Sequence, residues 1–365
     1  MSALSSALPD FPWDLLEPAK TLAASHPDGI VDLSVGTPVD PVPAVVRQAL
    51  AGASDTPGYP LTAGTTQLRA AIAGWLARAC RASGELGVLP TIGSKELVAW
   101  LPTLLGAGPG DKVVIPRICY PTYEVGVRLA GAEVIRADSL TAVGPERVKL
   151  VWINSPSNPT GRVLPAEHLR KVVAWARERD AIVVSDECYL SLGWESEPVS
   201  VLADEVTGGD YTGVLAVHSL SKRSNLAGYR AGFVGGDPAL IGELLAVRKH
   251  AGMIPPAPVQ AAMVAALEDE THVAEQRARY AARRDTLRAA LLKAGFELSH
   301  SEAGLYLWAT RGEDCWQTVD RLAQRGILAA PGAFYGPAAA QHVRVALTAT
   351  DERVAAAADR LAAGL

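Results

Sequence analysis

Val214-Leu-Ala-Val-His-Ser219-Leu-Ser221-Lys222-Arg223 is the stretch on which the reading of this chain turns. Its apolar run reads as a buried strand, and it delivers a lysine to its own end. Burying an ammonium is costly unless the charge is paired or neutralised. A partly desolvated lysine has a lowered pKa and becomes a nucleophile, the condition for a Schiff base with an aldehyde. Two hydroxyls, Ser219 and Ser221, lie beside it, and Arg230 follows in Gly228-Tyr-Arg-Ala-Gly232. Such groups suit a phosphate. A Ser-Lys-Arg triplet is also the composition of an ordinary solvated loop, so the rest of the chain must decide.

From residue 88 onward the pattern alternates between short apolar runs and longer amphipathic ones. Candidate strands fall at 88–91, 112–116, 133–136, 148–153, 181–185, 213–218 and 230–234, and helical stretches near 95–106, 121–131, 166–179 and 238–250. This alternation predicts an α/β fold with a largely parallel sheet covered by helices on both faces. Upstream, 42–53 and 65–83 read as helices, with Leu68, Ile72, Trp75 and Leu76 on one face of the second. Residues 1–30 read as an arm. Pro9, Pro12, Pro18 and Pro27 prevent a long helix there, while Phe11, Trp13, Leu15 and Leu16 offer anchors. After Pro255-Pro-Ala-Pro258 the character changes: 257–295 is Ala- and Arg-rich and helical in propensity, and short strands follow at 296–298, 304–308, 327–328 and 342–347 before a helix at 351–364. We therefore expect an arm and part of a small domain at 1–40, a large domain at 41–250, and a small α+β domain at 251–365.

A chain of 365 residues has room for two such cores. Its net charge of −5 leaves no basic footprint for nucleic acid or an anionic membrane. Cys80, Cys119, Cys188 and Cys315 are far apart and show no ligand spacing, which argues against zinc. Isolated cysteines suit a reducing cytoplasm, the expected location. The N-terminus has neither a basic region nor a long apolar stretch to suggest a signal peptide, and no apolar run approaches membrane-spanning length.

Ligands on open α/β sheets bind beyond the carboxyl ends of the strands, and the chemically suggestive residues sit there. Gly93-Ser94-Lys95 precedes a helix, where backbone N–H groups and a hydroxyl make an anion cradle or simply a cap. Asn158 lies in Asn154-Ser-Pro-Ser-Asn-Pro-Thr-Gly161, held between two prolines and able to donate through its amide. Asp186 ends the very apolar Ile182-Val-Val-Ser-Asp run; it either caps the next helix or pairs a cation such as a protonated pyridine. Tyr189, three residues on, can donate to a ring oxygen. Arg344 lies among apolar residues on a strand of the second domain, where it takes either an internal acid or a substrate carboxylate.

Taken in order, Tyr59 in Gly58-Tyr-Pro-Leu-Thr-Ala-Gly64, Gly93-Ser94-Lys95, Tyr120, the Asn-Pro-Thr-Gly string at 158–161, Ser185-Asp-Glu-Cys-Tyr189, Ser219-Leu-Ser-Lys222, Arg230 and Arg344 resemble the class I/II aminotransferases of pyridoxal-phosphate fold type I. The resemblance covers nearly the whole chain. It implies a mostly parallel seven-stranded sheet and a smaller α+β domain. It also implies pyridoxal 5'-phosphate on Lys222, with Lys222 moving the substrate Cα proton and Asp186 pairing the pyridine nitrogen. Asn158 and Tyr189 would bond the ring oxygen and Tyr120 would stack on the ring. Gly93, Ser94, Lys95, Ser219 and Arg230 would surround the phosphate, joined by Tyr59 from the neighbouring subunit of a homodimer. Arg344, helped by Asn158 and the backbone at Gly36, would hold the substrate α-carboxylate.

Longer strings, including His218-Ser-Leu-Ser-Lys-Arg-Ser-Asn-Leu-Ala-Gly-Tyr-Arg230 and His300-Ser-Glu-Ala-Gly-Leu-Tyr306, look like the actinobacterial N-succinyl-diaminopimelate aminotransferases of lysine biosynthesis. That likeness implies ping-pong transfer between N-succinyl-LL-2,6-diaminopimelate and 2-oxoglutarate. Aminotransferases of other specificity (alanine, aspartate or aromatic) and a β-eliminating lyase on the same scaffold are the alternatives among enzymes. A transcription regulator with a sensing domain of this fold would need a DNA-binding domain ahead of it, and this chain has no room for one before residue 30. Arg223 is open between a ligand contact and a structural role, and Phe11 and Trp13 are candidates for the distal end of the substrate.

Overall fold

The computed structural model describes residues 4–364. A short strand β1 (Val31–Asp32) precedes the strands of the large sheet: β2 (Gly87–Ile92), β3 (Lys112–Ile115), β4 (Glu133–Arg136), β5 (Leu150–Asn154), β6 (Ile182–Asp186), β7 (Val214–Ser219) and β8 (Ala231–Gly236). They assemble in the order β2-β8-β7-β6-β5-β3-β4. Every neighbouring pair from β7 to β4 is parallel, whereas β8 runs antiparallel to both β7 and β2. The exception has a physical cause. A parallel return needs a crossover of a dozen residues or more, usually a helix. The connection from β7 to β8 spans only residues 220–230 and contains one helical turn, Leu220–Arg223, and a 3-10 turn, Ala227–Tyr229. The chain therefore doubles back, which brings Lys222 and Arg230 to the same end of the sheet.

The strands are buried on both faces, as their unbroken apolar sequence requires. Helix Thr66–Ala79 lays Leu68, Ile72, Trp75 and Leu76 against one face, and helix Ser94–Leu104 lays Leu97, Val98 and Leu101 against the other. Thr65 caps the first of these helices by accepting from the Leu68 amide at 3.1 Å.

A second sheet is built from β9 (Glu297–Leu298), β10 (Tyr306–Thr310), β12 (Ala330–Pro331) and β13 (His342–Ala346), all antiparallel, in the order β12-β13-β10-β9. A further strand, β11 (Ile327–Leu328), pairs in parallel with β1. The N-terminal arm thus joins this second core: Leu16, Ala19, Val31 and Leu33 pack with Tyr280, Leu307, Val343 and Leu361. Within the arm, Pro12–Leu16 is a 3-10 turn, and Pro18 stands in the first turn of helix Glu17–Ala24, where a missing N–H costs nothing. The long helix Thr271–Lys293 carries buried arginines because each finds an acid: Arg283 binds Asp40 and Asp351, and Arg284 binds Glu195. Among the described residues no helix is long and apolar enough to cross a membrane.

Candidate active site

The carboxyl ends of β2, β5, β6 and β7 converge on a cavity of about 480 Å³ closed on its far side by β13 and the arm. Gly36, Ser94, Lys95, Tyr120, Asn158, Asp186, Tyr189, Ser219, Lys222, Arg230 and Arg344 all line it. Gly93 stands immediately beside it. A Cβ there would lie 2.5 Å from Arg230 Nη2, and the residue adopts φ +78°, so the close approach of the arginine requires glycine. Tyr59 is the one expected site residue that this chain does not bring to the cavity; its side chain is fully exposed.

Asp186 is almost wholly buried. Its Oδ2 accepts from the Tyr123 hydroxyl at 2.7 Å and its Oδ1 from the Cys188 amide at 3.2 Å. Among the described residues no lysine or arginine bridges it, and burial raises its pKa against those hydrogen bonds. Lys222 has no hydrogen-bond partner among the described residues. Burial, opposed by the Cys188 thiol and reinforced by Arg344 and Arg230, lowers its amine to about 8. On the loop after β5, Asn154 Oδ1 accepts the Asn158 amide at 2.7 Å, while Asn154 Nδ2 donates to the Asp186 carbonyl at 2.8 Å. One side chain therefore locks the Asn158 loop to the end of β6.

Arg344 enters from β13, fully buried. Nη1 donates to Asn158 Oδ1 at 2.9 Å, Nη2 donates to the Ser34 carbonyl at 2.5 Å, and Nε has no partner. No carboxylate bridges this guanidinium among the described residues. It is sandwiched by rings instead, 3.9 Å from the centroid of Tyr306 and 5.0 Å from that of Tyr335. Tyr306, which sequence reasoning read only as part of a strand, also meets the Tyr189 hydroxyl at 3.0 Å. It crowds Gly36 so closely that any Cβ there would overlap its hydroxyl. Tyr123 is the other residue missed.

Arg223 turns away from the cavity. It is buried against Trp75 and donates to both Glu270 oxygens at 3.0 and 3.1 Å. Phe11 and Trp13 do reach the cavity wall, with Lys95 Nζ 5.3 Å from the Phe11 ring centroid.

The fit to a phosphate-bearing aldehyde of the pyridine class can be judged from these groups alone. A buried carboxylate without a cationic partner matches a protonated ring nitrogen. An amine without a partner matches the aldehyde. Arg230, whose side chain bonds only the Ala227 carbonyl among the described residues, lines the cavity with Ser94 and Ser219 and has Gly93 beside it, a set that suits a phosphate. These features, on a seven-stranded sheet with one reversed strand, define a fold type I pyridoxal-phosphate enzyme.

The chain belongs to the class I and II aminotransferase family, whose profile matches residues 28–361. It is 66% identical to a probable aminotransferase of Mycobacterium tuberculosis over 98% of this chain and 86% of that protein. It is 62% identical to the 4-dedimethylamino-4-oxo-anhydrotetracycline transaminase of Streptomyces rimosus over 97% and 99%. Among solved structures, a probable N-succinyldiaminopimelate aminotransferase from Thermus thermophilus is 30% identical and superimposes with a TM-score of 0.87, over 97% of this chain and 100% of that one. The protein is accordingly a pyridoxal-phosphate-dependent aminotransferase acting on amino and oxo acids.

Proposed function

We propose that this aminotransferase moves the amino group of N-succinyl-LL-2,6-diaminopimelate to 2-oxoglutarate in a ping-pong cycle. The observation that carries the reading is the buried Arg344 guanidinium, free of any acid and open to the cavity. A buried guanidinium without a carboxylate is costly unless a ligand supplies one. The cavity wall carries four cations, Lys95, Lys222, Arg230 and Arg344, against the single carboxylate of Asp186. That excess suits a phosphate together with a substrate bearing several carboxylates, and the apolar arm residues Phe11 and Trp13 suit its methylene chain.

Pyridoxal phosphate, when bound, supplies the aldehyde that takes up amines and the ring that accepts electrons. The protein's part is orientation and proton transfer. Asp186 would pair a protonated ring nitrogen, Asn158 and Tyr189 would hydrogen-bond the ring oxygen, and Tyr120 would stack on the ring. Arg344 fixes the α-carboxylate and with it the direction of the Cα–H bond. Lys222 Nζ, lowered to about 8, is neutral often enough near pH 8 to take that proton and return it. Because one arginine clamp serves both half-reactions, both substrates must carry an α-carboxylate.

The fully exposed Tyr59, with Leu61, Phe11 and Leu15 also exposed, supports a homodimer in which Tyr59 completes the phosphate site of the partner subunit. A fully active monomer by sedimentation would contradict it. The two-domain division is likewise our reading, supported by the separate packing of two cores; helix Ala257–Glu268, however, buries Val259, Ala262, Met263 and Leu267 in the first core, so the second boundary falls after this helix rather than at 250.

A second reading follows from the 62% identity to the anhydrotetracycline transaminase across almost all of that protein: amino transfer to a bulky polycyclic ketone, in which the Arg344 clamp would serve the amino donor alone and the requirement for an α-carboxylate on both substrates would not hold. The test is glutamate-dependent turnover with the purified holoenzyme, offering the succinylated keto acid, pyruvate, oxaloacetate, an aromatic keto acid and a tetracyclic ketone. The succinylated acid should give the highest kcat/KM. Preference for any other acceptor overturns the substrate assignment while leaving the aminotransferase class untouched.

A further inference from the structure

The three residues that follow Lys222 are each fastened to the region where helix Thr271–Lys293 begins. Arg223 holds Glu270 through two hydrogen bonds. Ser224 Oγ lies 2.8 Å from His272 Nε2. Asn225 Nδ2 donates to Gln276 Oε1 at 2.9 Å. Behind His272, its Nδ1 lies 2.6 Å from Asp269 Oδ2, and the two Asp269 oxygens also accept the backbone amides of Thr271 and His272. The hydrogen bond from His272 lowers the Asp269 carboxyl to about 2, so the acceptor is an anion throughout the working range. With the proton on Nδ1, Nε2 is left to accept from the Ser224 hydroxyl.

Aspartate, histidine and serine in this sequence of contacts have the connectivity of a hydrolytic triad. Ser224, however, is completely buried, so no acyl group can reach its hydroxyl. The chain of hydrogen bonds must act on the backbone instead. The Ser224 amide bonds back to the Leu220 carbonyl at 3.2 Å, closing the turn that carries Lys222. The next residue, Asn225, holds φ +56°, a conformation that needs its surroundings to maintain it. A lysine side chain has four rotatable bonds and, here, no hydrogen bond of its own. With no hydrogen bond to hold the amine, where its Cα stands sets the region of the cavity that Nζ can reach.

We propose that Ser224, His272 and Asp269 form a positioning relay that fixes the Lys222 turn and so aims Nζ into the cavity. The relay joins the lysine turn to the helix that leads into the second core. It rests on the reading that Lys222 is the cofactor-bearing lysine. Loosening it leaves the substrate clamp at Arg344 in place but blurs the amine position, and displacements of an ångström in a reacting group are expensive in rate.

Ser224→Ala, Asp269→Asn and the double variant would be purified with pyridoxal phosphate. Three quantities would be measured: the midpoint pH of the bound chromophore's visible band, kcat and KM separately, and the thermal midpoint. The relay predicts a displaced chromophore midpoint and a kcat about tenfold lower, the worth of one net hydrogen bond. KM should stay within about twofold, and the double variant should be no worse than the more affected single one. The Asp269 side chain is partly exposed, so Asp269→Asn serves if Ser224→Ala fails to fold. An unchanged band and unchanged kcat in a folded variant overturn the relay, as does a loss of activity that only tracks loss of folded protein. Lys222→Ala is the control: persistence of the visible band there defeats the lysine assignment itself, a result distinct from failure of the relay.

Discussion

Arg344 Nη1 donates to Asn158 Oδ1 at 2.9 Å, joining β13 of the second sheet to the loop that follows β5 of the first. The bond spends one arm of the guanidinium on holding Asn158, and Ser34 takes the other. Nε and the second N–H of each terminal nitrogen are left for a ligand. Arg344→Ala should therefore raise KM for amino donor and keto acceptor together, on the order of a hundredfold, the scale of a lost charge-assisted pair. The bound cofactor should be retained. Steady-state kinetics on both substrates, with the visible spectrum recorded alongside, test this; an unchanged KM removes the clamp role.

Lys222→Ala should abolish both turnover and the visible absorbance while leaving the fold intact, since Lys222 makes no hydrogen bond that supports the turn. Its pH behaviour gives a second check. Burial moves the amine from the ordinary lysine value down to about 8, so the folded apoenzyme releases this proton earlier than a free lysine does. The rate at which apoenzyme captures pyridoxal phosphate should rise with pH and level off above about 8. A rate still climbing toward the ordinary lysine pKa would show that the amine is not desolvated.

Tyr123→Phe isolates the support of Asp186. The Tyr123 hydroxyl donates to Asp186 Oδ2 at 2.7 Å and stacks its ring on Trp152 at 4.9 Å. Removing the hydroxyl keeps the packing and deletes one bond to the carboxylate, which then holds its proton more readily. Cofactor affinity should fall about five- to tenfold, seen as faster loss of the visible band on dilution, with the thermal midpoint of the apoenzyme nearly unchanged.

The positions at strand ends were legible because their chemistry contradicts their surroundings. Asp186 closes an apolar run and Lys222 follows another; each alone could be a cap or a solvated loop, and it was their recurrence at successive strand ends that pointed to a ligand. Arg230 was legible as a candidate, but its placement depends on β8 reversing direction, which only the short 220–230 connection hints at. Tyr306 and Tyr123 were not legible as site residues. An aromatic on a buried strand or helix looks like core until its hydroxyl is seen to meet Tyr189 or Asp186. The role of Arg223 was open in the sequence because its partner, Glu270, is far along the chain and lies in an otherwise ordinary charged turn. Tyr59 illustrates the opposite case: a residue named by family likeness whose surroundings in this chain are solvent alone.

Glu187 offers the last test, behind the site. It is fully buried next to Asp186, its Oε1 accepts the Val201 amide at 2.6 Å, and its Oε2 has no hydrogen-bond partner, lying 3.6 Å from His218 Nε2. Burial pushes its carboxyl up to about 7, while the same desolvation drives His218 down to about 3, so the imidazole is neutral and offers no counter-charge. For an acid whose folded pKa is raised, the folded state keeps a proton that the unfolded state gives up. The stabilising contribution is complete below pH 4.5, the unfolded value, and is lost as the pH rises to about 7. Glu187→Gln keeps an oxygen for the Val201 amide and never ionises. Its thermal midpoint, measured against that of the parent apoenzyme, should gain on the parent between pH 5 and pH 8. A gap that stays constant across that range would mean that Glu187 is ionised throughout and has a counter-charge other than His218.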